Sequence, residues 1–361
     1  LVFLFALWAC ANDPQPADDW TPPGEEGPFL VGTEEHAFDA PNAGVQLPVQ
    51  VWFPASDGDD EVEVTYQGFV PSGAIGEPVP DCSEVRPLMV FSHGNGGIRF
   101  QSLFLTEFWA TRGAIILAPD HVDNTFLDLN PRLSAAISFR RPLDISDTVD
   151  WFYEQTADPD HPLHDCVDPD AGYQLSGHSY GAYTALAVGG AQMDLAYLDS
   201  LCDSPDDFLC DALEYWWADH PGEMLVDLTD DRVNAVLSMT PAAWQMFGDH
   251  LADIVVPTLI MGASEDSLTP MSTEVRPTWE RLAATPRHLA VLEGANHFAY
   301  SNLCSLIPMG DYCDEGSLDM EEGHRVIREA ATAFLDVARG ETRSAEWLPL
   351  DHDLLTWETV E

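Results

Sequence analysis

Residues 177 to 181 read Gly177-His178-Ser179-Tyr180-Gly181, a G-x-S-x-G pentapeptide between an apolar run and a run of small residues. In that pattern a serine sits at a sharp strand-to-helix turn with its hydroxyl held out of the backbone, and glycines flank it because side chains would clash there. Ser179 is therefore a candidate nucleophile. A serine hydroxyl reacts poorly at neutral pH and needs a base, normally histidine, oriented by a carboxylate. Both follow in the order Ser, Asp, His. Asp266 lies in Ala263-Ser264-Glu265-Asp266-Ser267, with Glu265 in reserve, and His297 lies in Gly294-Ala295-Asn296-His297-Phe298. Donors for the oxyanion of a tetrahedral intermediate are also needed, each typically contributing about 3 kcal/mol. His93-Gly94-Asn95-Gly96-Gly97 supplies a glycine-rich backbone that a substrate can approach closely, and the N–H groups of Asn95 and Tyr180 are assigned to this role.

Singly, each piece has a plainer reading: a turn serine, a helix cap, a surface histidine, a connecting loop. Their joint order at strand ends favours catalysis, and the elements around them support it. Apolar runs at Leu88 to Ser92, Ala114 to Ala118 and Gly172 to Ser176 read as buried parallel strands, and helical stretches at Gln101 to Thr111 and Leu143 to Glu154 separate them. Further strands are expected at Val233 to Met239, Thr258 to Gly262 and Leu289 to Leu292. Gln46 to Pro54 alternates like an edge strand with prolines at its margins, and Glu61 to Val70 suggests a second edge segment. A late helix, Met320 to Ala338, carries apolar residues at core-facing spacing. This alternation predicts an α/β fold with a doubly wound, mostly parallel sheet. Carboxyl ends of such strands are where active sites assemble. About forty residues, 194 to 232, are rich in Asp and aromatic side chains and form an acidic insertion before the sixth strand, read as a lid or a surface excursion.

The chain has 361 residues, with 62 acidic and 14 basic side chains and a formal net charge of -48. All 14 cations are arginine; there is no lysine. Such a surface repels polyanions, so nucleic acid and anionic membrane surfaces are poor partners. A solvated acidic shell suited to salty surroundings is the simplest reading. Neither H-E-x-x-H nor C-x-x-C occurs, His161 and His164 share a proline-containing loop, and Asp57-Gly58-Asp59-Asp60-Glu61 lacks EF-hand periodicity. No metal and no cofactor are assigned.

Residues 1 to 10 are apolar, too short to span a bilayer, and fit the end of an export signal. Leu7-Trp8-Ala9-Cys10 resembles the lipobox of bacterial lipoproteins, which makes Cys10 the candidate lipidation site and the only link to a membrane. Residues 11 to 28 read as an acidic, proline-rich tether that buries nothing, and residues 29 to 361 as one catalytic domain. Setting Cys10 aside leaves six cysteines, an even number in a chain that looks exported. Cys202 with Cys210 and Cys304 with Cys313 are close in sequence, and elimination pairs Cys82 with Cys166. Other connectivities stay open at this stage.

These motifs together resemble the α/β-hydrolase superfamily, in particular its dienelactone-hydrolase-like and platelet-activating-factor-acetylhydrolase-like bacterial branch, which adjoins the bacterial cutinases. The resemblance is carried by Leu47 to Ala55, Phe91 to Gly97, Arg141-Pro142-Leu143-Asp144, Gly177 to Gly181 and Asp231 to Val236, spanning about residues 29 to 348. It implies an α/β-hydrolase fold, Ser179 as nucleophile, Asp266 as acid, His297 as base, Asn95 and Tyr180 as oxyanion donors, and no cofactor. It also sets Trp244 near a substrate-facing tryptophan of polyester hydrolases, with core packing an equal reading of that position. Dienelactone hydrolases proper carry a cysteine nucleophile where this chain has serine, and the cutinases lack the long insertion and the extra cysteines.

The function expected is a serine carboxylic-ester hydrolase, monomeric and exported as an envelope lipoprotein or secreted protein, acting on neutral short-to-medium acyl esters. Tyr215, Trp216 and Trp217 of the insertion are candidates for an apolar wall. The rivals are a polyester or cutin hydrolase and, from another class, a non-catalytic surface lipoprotein. The same machinery serves amidases and acyltransferases, because a triad does not choose its acceptor.

Overall fold

The computed structural model describes residues 20–68, 70–202, 208–306, 313 and 316–361. Cys10, the signal-like stretch and residues 11–19 of the expected tether lie outside the described residues. Along the chain the strands are β1 (Leu30–Ala40), β2 (Val45–Asp59), β3 (Thr65–Tyr66), β4 (Val70–Pro71), β5 (Gly76–Pro80), β6 (Leu88–Ser92) and β7 (Ile115–Pro119). They continue as β8 (Tyr173–His178), β9 (Met193–Asp194), β10 (Leu225–Val226), β11 (Val233–Met239), β12 (Thr258–Ala263), β13 (Arg287–Leu292) and β14 (Leu355–Val360). Among the described residues one ten-stranded sheet runs in the order β1-β2-β7-β6-β8-β11-β12-β13-β14, with β5 beside β2. Pairing is parallel from β7 through β13 and antiparallel at both ends. This is a mixed α/β architecture with a mostly parallel central sheet.

The continuous apolar runs become central strands because helices cover both faces. Val49, Val51, Leu88, Val90, Ile115, Leu117, Ile260 and Leu289 point into one core, shared with helix α2 (Ser134–Thr156) and helix α3 (Tyr180–Val188). Their neighbours in sequence, Trp52, Met89, Phe91, Ile116, Leu259 and Ala290, point into the other. That second core holds helix Leu103–Thr111 and helix Met320–Ala338, whose Val326, Ile327, Ala330 and Phe334 are buried. The late helix is started by Asp319, whose carboxylate accepts the Glu322 N–H at 3.1 Å.

Four expectations are corrected. The Gln46 strand is longer, β2, and lies inside the sheet, because β1 pairs with its residues 45 to 55 on one side and β7 lies on the other. Residues 61 to 70 add no sheet edge; Thr65–Tyr66 and Val70–Pro71 form their own small ladder. The helix expected from Leu143 begins at Ser134 and carries Pro142 inside. Proline removes the N–H that would have served the Ser138 carbonyl, and the Tyr183 hydroxyl donates to that carbonyl instead, at 3.1 Å. Finally, the tether ends earlier than residue 28. Arg112 donates to the carbonyls of Thr21, Pro22 and Glu25, Gly27 N–H donates to Thr111 Oγ1, and Trp20 meets Trp347, so residues 20 to 28 are docked on the domain.

The cysteines pair as Cys82–Cys166, Cys202–Cys210 and Cys304–Cys313, the three bridges expected. Cys82 and Cys166 precede β6 and β8, neighbours in the sheet. Three disulfides fit an extracellular, oxidising environment. Among the described residues no helix is long and apolar enough to cross a membrane.

Burial also sets the response to acid. It lowers the His178 imidazole to about 3 and that of His324 to about 4, and it pulls those of His93, His121 and His288 below the usual histidine value. In the unfolded chain these groups take up protons as pH falls through about 6.5, while the folded chain resists. Their contribution to stability is therefore complete above that pH and is lost progressively below it. Three carboxyls raised by desolvation, the buried Asp144 (to about 8) and Asp120 and the half-buried Glu274, work the other way, but five imidazoles outnumber them. Urea unfolding is expected to show a lower midpoint at pH 5 than at pH 7.5; an equal or higher midpoint at pH 5 would contradict this balance.

Candidate active site

The chain passes from β6 to β7 on one side and then crosses to β8 on the other, so the sheet order reverses between β6 and β8. Ligands bind at the carboxyl ends of strands flanking such a reversal. The loop 93–97 leaves β6 there, and Ser179 leaves β8.

Ser179 is held at φ 58° and ψ -118°. For a residue with a side chain this conformation costs on the order of 1–3 kcal/mol, so the surroundings must impose it. A Cβ on Gly177 would strike the Gly181 carbonyl, and one on Gly181 would strike the Ser92 carbonyl. Ser179 N–H is fixed by the Met239 carbonyl at 2.8 Å, and its own carbonyl accepts from Ala182 and Tyr183. The side chain is left at the floor of a cleft of about 240 Å³, lined also by Gly94, Asn95, His178, Ala242, Leu268, Thr269, His297 and Phe298.

Asp266 follows β12 and His297 follows β13, and the two meet with Nδ1 to Oδ2 at 2.7 Å. The other carboxylate oxygen accepts the N–H groups of Leu268 and Thr269 at 2.8 Å, and the Thr269 hydroxyl donates to Oδ2 at 2.7 Å. Burial opposes ionisation of Asp266, but the hydrogen bonds from His297 and Thr269 outweigh it and hold the carboxyl below the usual range. Glu265, the reserve, is exposed and accepts from the Ser317 hydroxyl. Asp266 thus fixes the tautomer of His297, with Nδ1 donating and Nε2 left to take a proton. Among the described residues the Ser179 hydroxyl has no hydrogen-bond partner; such contacts are often long before substrate binds.

In the 94–97 loop the N–H of Gly94 donates to Gln101 Oε1, that of Gly96 to the Asn124 carbonyl and that of Gly97 to the Gly94 carbonyl. Among the described residues neither Asn95 N–H nor Tyr180 N–H, on the turn that carries Ser179, has a backbone acceptor. Asn95 and Ser179 line the cleft, and Tyr180 follows Ser179 directly.

Sequence reasoning missed several supports. Gln101 links the loop to His178, whose Nδ1 is 3.0 Å from Gln101 Nε2 and whose Nε2 lies 2.9 Å from the His297 carbonyl. Its position inside the pentapeptide was the only available signal. Thr269, three residues after Asp266, could have been read as a local hydroxyl partner for that carboxylate. Trp244 is not brought to the cleft: its indole N–H donates to the Thr273 carbonyl and Arg281 stacks on its ring at 3.8 Å. Among the described residues of the insertion, none lines the cleft either. Trp216 stacks on Phe139 and Trp217 donates to the Glu223 carbonyl. Among the described residues no three His, Cys, Asp or Glu side chains gather as metal ligands. Compared with known proteins, the chain matches no family model and no curated sequence.

Proposed function

We propose that the protein is a serine carboxylic-ester hydrolase of the α/β-hydrolase fold, working through an acyl-enzyme. The observation that carries this reading is the Asp266–His297 pair, at 2.7 Å, bordering the same cleft as a serine in a conformation that only its surroundings maintain. Ser179 Oγ attacks the ester carbonyl as His297 Nε2 takes its proton; the carbonyl oxygen becomes an oxyanion facing Asn95 and Tyr180 N–H. His297 returns the proton to the departing alkoxide, then draws one from water, whose oxygen attacks the acyl group, and gives that proton to Ser179 Oγ as the Oγ–acyl bond breaks and the acid leaves.

Leu268, Phe298 and Leu303 line the cleft, and Leu129 packs near Gly96 at its mouth. Phe126 N–H donates to the Gly97 carbonyl, which sets exposed Phe126 and Leu127 beside the 94–97 loop. This apolar border favours an uncharged acyl group, while the net charge disfavours anionic esters. The open rim also favours a second reading, a polyester or cutin hydrolase, in which a polymer chain lies across Phe126, Leu127 and Leu268. Export with a lipid on Cys10 is part of the proposal.

A panel of p-nitrophenyl esters from acetate to palmitate, beside polyester film, tests both readings. Turnover greatest at short or medium chains, with no monomer released from film, is expected. Release of soluble monomers would favour the polymer reading, and silence on every substrate by folded protein would reject ester hydrolysis.

A further inference from the structure

Behind the cleft lies a second set of chemistry-bearing side chains that the reaction above does not use. Ser92 Oγ is 2.9 Å from His121 Nε2, and His121 Nδ1 is 2.7 Å from Asp144 Oδ2. The sequence of groups copies a catalytic triad, yet Ser92, His121 and Asp144 are each 0% exposed, so no substrate reaches Ser92. Their common neighbour is Arg141, also 0% exposed. Arg141 Nη2 donates to Ser92 Oγ and to the His93 carbonyl, Nη1 donates to Asn124 Oδ1 at 2.6 Å, and Nε donates to Thr184 Oγ1 at 2.9 Å. The guanidinium lies 4.7 Å over the Tyr180 ring.

Three of these contacts, to His93, Asn124 and the Tyr180 ring, lead toward the oxyanion donors. The His93 carbonyl lies two residues before Asn95. Asn124, held by Arg141, donates from Nδ2 to Asn95 Oδ1 at 2.7 Å and accepts the Gly96 N–H on its own carbonyl at 3.0 Å. The ring under the guanidinium belongs to Tyr180, whose N–H is the other donor. Arg141 thus touches supports of both halves of the hole, which come from loops leaving β6 and β8.

We propose that Arg141 is the positioning residue of the oxyanion hole, its planar fork locking the His93–Asn95 backbone and Tyr180 in one geometry before charge develops on substrate. The inference rests on the ester-hydrolase reading. A rigid five-donor fork suits the task, and a lysine, with a single rotatable ammonium, could not hold His93, Asn124, Ser92 and Thr184 together. Burial lowers the Arg141 pKa to about 10, so the group keeps its charge at neutral pH. Ser92, His121 and Asp144 then act as the braced base on which the fork rests. Preorganised donors stabilise a transition state because they need not reorient during reaction.

The test compares wild type with Arg141→Lys, which keeps the charge and loses the fork, and with Asn124→Ala, which removes the relay from Arg141 Nη1 to Asn95 and leaves the other Arg141 contacts in place. Three quantities are read: kcat and KM for p-nitrophenyl butyrate, the inhibition constant of an alkylboronic acid that forms a tetrahedral adduct on serine, and the melting curve. The expected result is a loss of kcat of about 10- to 10³-fold with KM changed less than about twofold. Boronate inhibition should weaken by a similar factor while melting stays cooperative. Unchanged kcat and boronate affinity in a cooperatively folded Arg141→Lys would overturn the proposal, as would a rise in KM alone. If Arg141→Lys does not fold, Asn124→Ala decides by the same criteria. Wild type that neither turns over nor reacts with a fluorophosphonate would reject the ester-hydrolase reading itself, which separates that failure from this one.

Discussion

Ser179→Ala is expected to lower kcat for a p-nitrophenyl ester by on the order of 10⁶-fold, the scale seen when a serine protease loses its nucleophile. Alanine retains the Cβ that the turn already accommodates, and the backbone bonds of residue 179 to Met239, Ala182 and Tyr183 involve no side-chain atom. The hydroxyl itself makes no hydrogen bond that the fold would miss. The melting temperature is therefore expected to stay within a few degrees of wild type. Residual turnover above about one per cent, in a preparation free of wild-type protein, would mean that another group attacks the ester.

Asp266→Asn is expected to cost about 10⁴-fold in kcat, through the tautomer of His297 and not through the fold. The asparagine Oδ1 can still accept from Leu268 and Thr269 N–H, so the turn after β12 keeps its two backbone bonds. An amide Nδ2 in place of Oδ2 meets His297 Nδ1 as a donor. That forces the imidazole proton onto Nε2, where it blocks acceptance of the serine proton. Glu265→Gln, on the exposed neighbour that faces Ser317, is expected to leave kcat within about twofold. Equal losses in the two variants would remove Asp266 from its role.

Those residues were legible in the sequence because each sits in a short motif at the end of a strong apolar strand. β6, β12 and β13 are buried along most of their length and carry apolar runs, while the more polar β8 is marked by the Gly177 and Gly181 that flank its turn. The disulfides were legible for a similar reason: two pairs are near in sequence, and the third follows from neighbouring parallel strands. What was not legible depends on partners remote in the chain. β1 alternates between buried and exposed positions and carries charged residues, so only its pairing with β2 declares it a strand. The first turns of α2 are hidden by Pro142, whose cost is met by Tyr183, forty-one residues later. Docking of residues 20 to 28 relies on Arg112, and nothing local in that acidic, proline-rich stretch announces it. Arg141 is the same case at the site itself. Its motif was visible, but its role arises only where loops from two strands converge on one guanidinium.

For Trp244 the sequence left a substrate-facing ring and core packing level, and the indole pairs with the Thr273 carbonyl and with Arg281. An aromatic ring with a polar handle is satisfied by packing as readily as by a ligand. The cleft takes its apolar character instead from Leu268, Phe298 and Leu303, aliphatic and aromatic residues that carry no distinguishing spacing.

Whether Ser179 is the nucleophile is decided most directly by reacting the folded protein with a fluorophosphonate and locating the adduct by peptide mass spectrometry. One phosphonyl group on Ser179, absent from Ser179→Ala and slowed by a competing ester, is the expected result. No adduct on folded protein, or an adduct on another serine with Ser179 unmodified, would contradict the proposed chemistry.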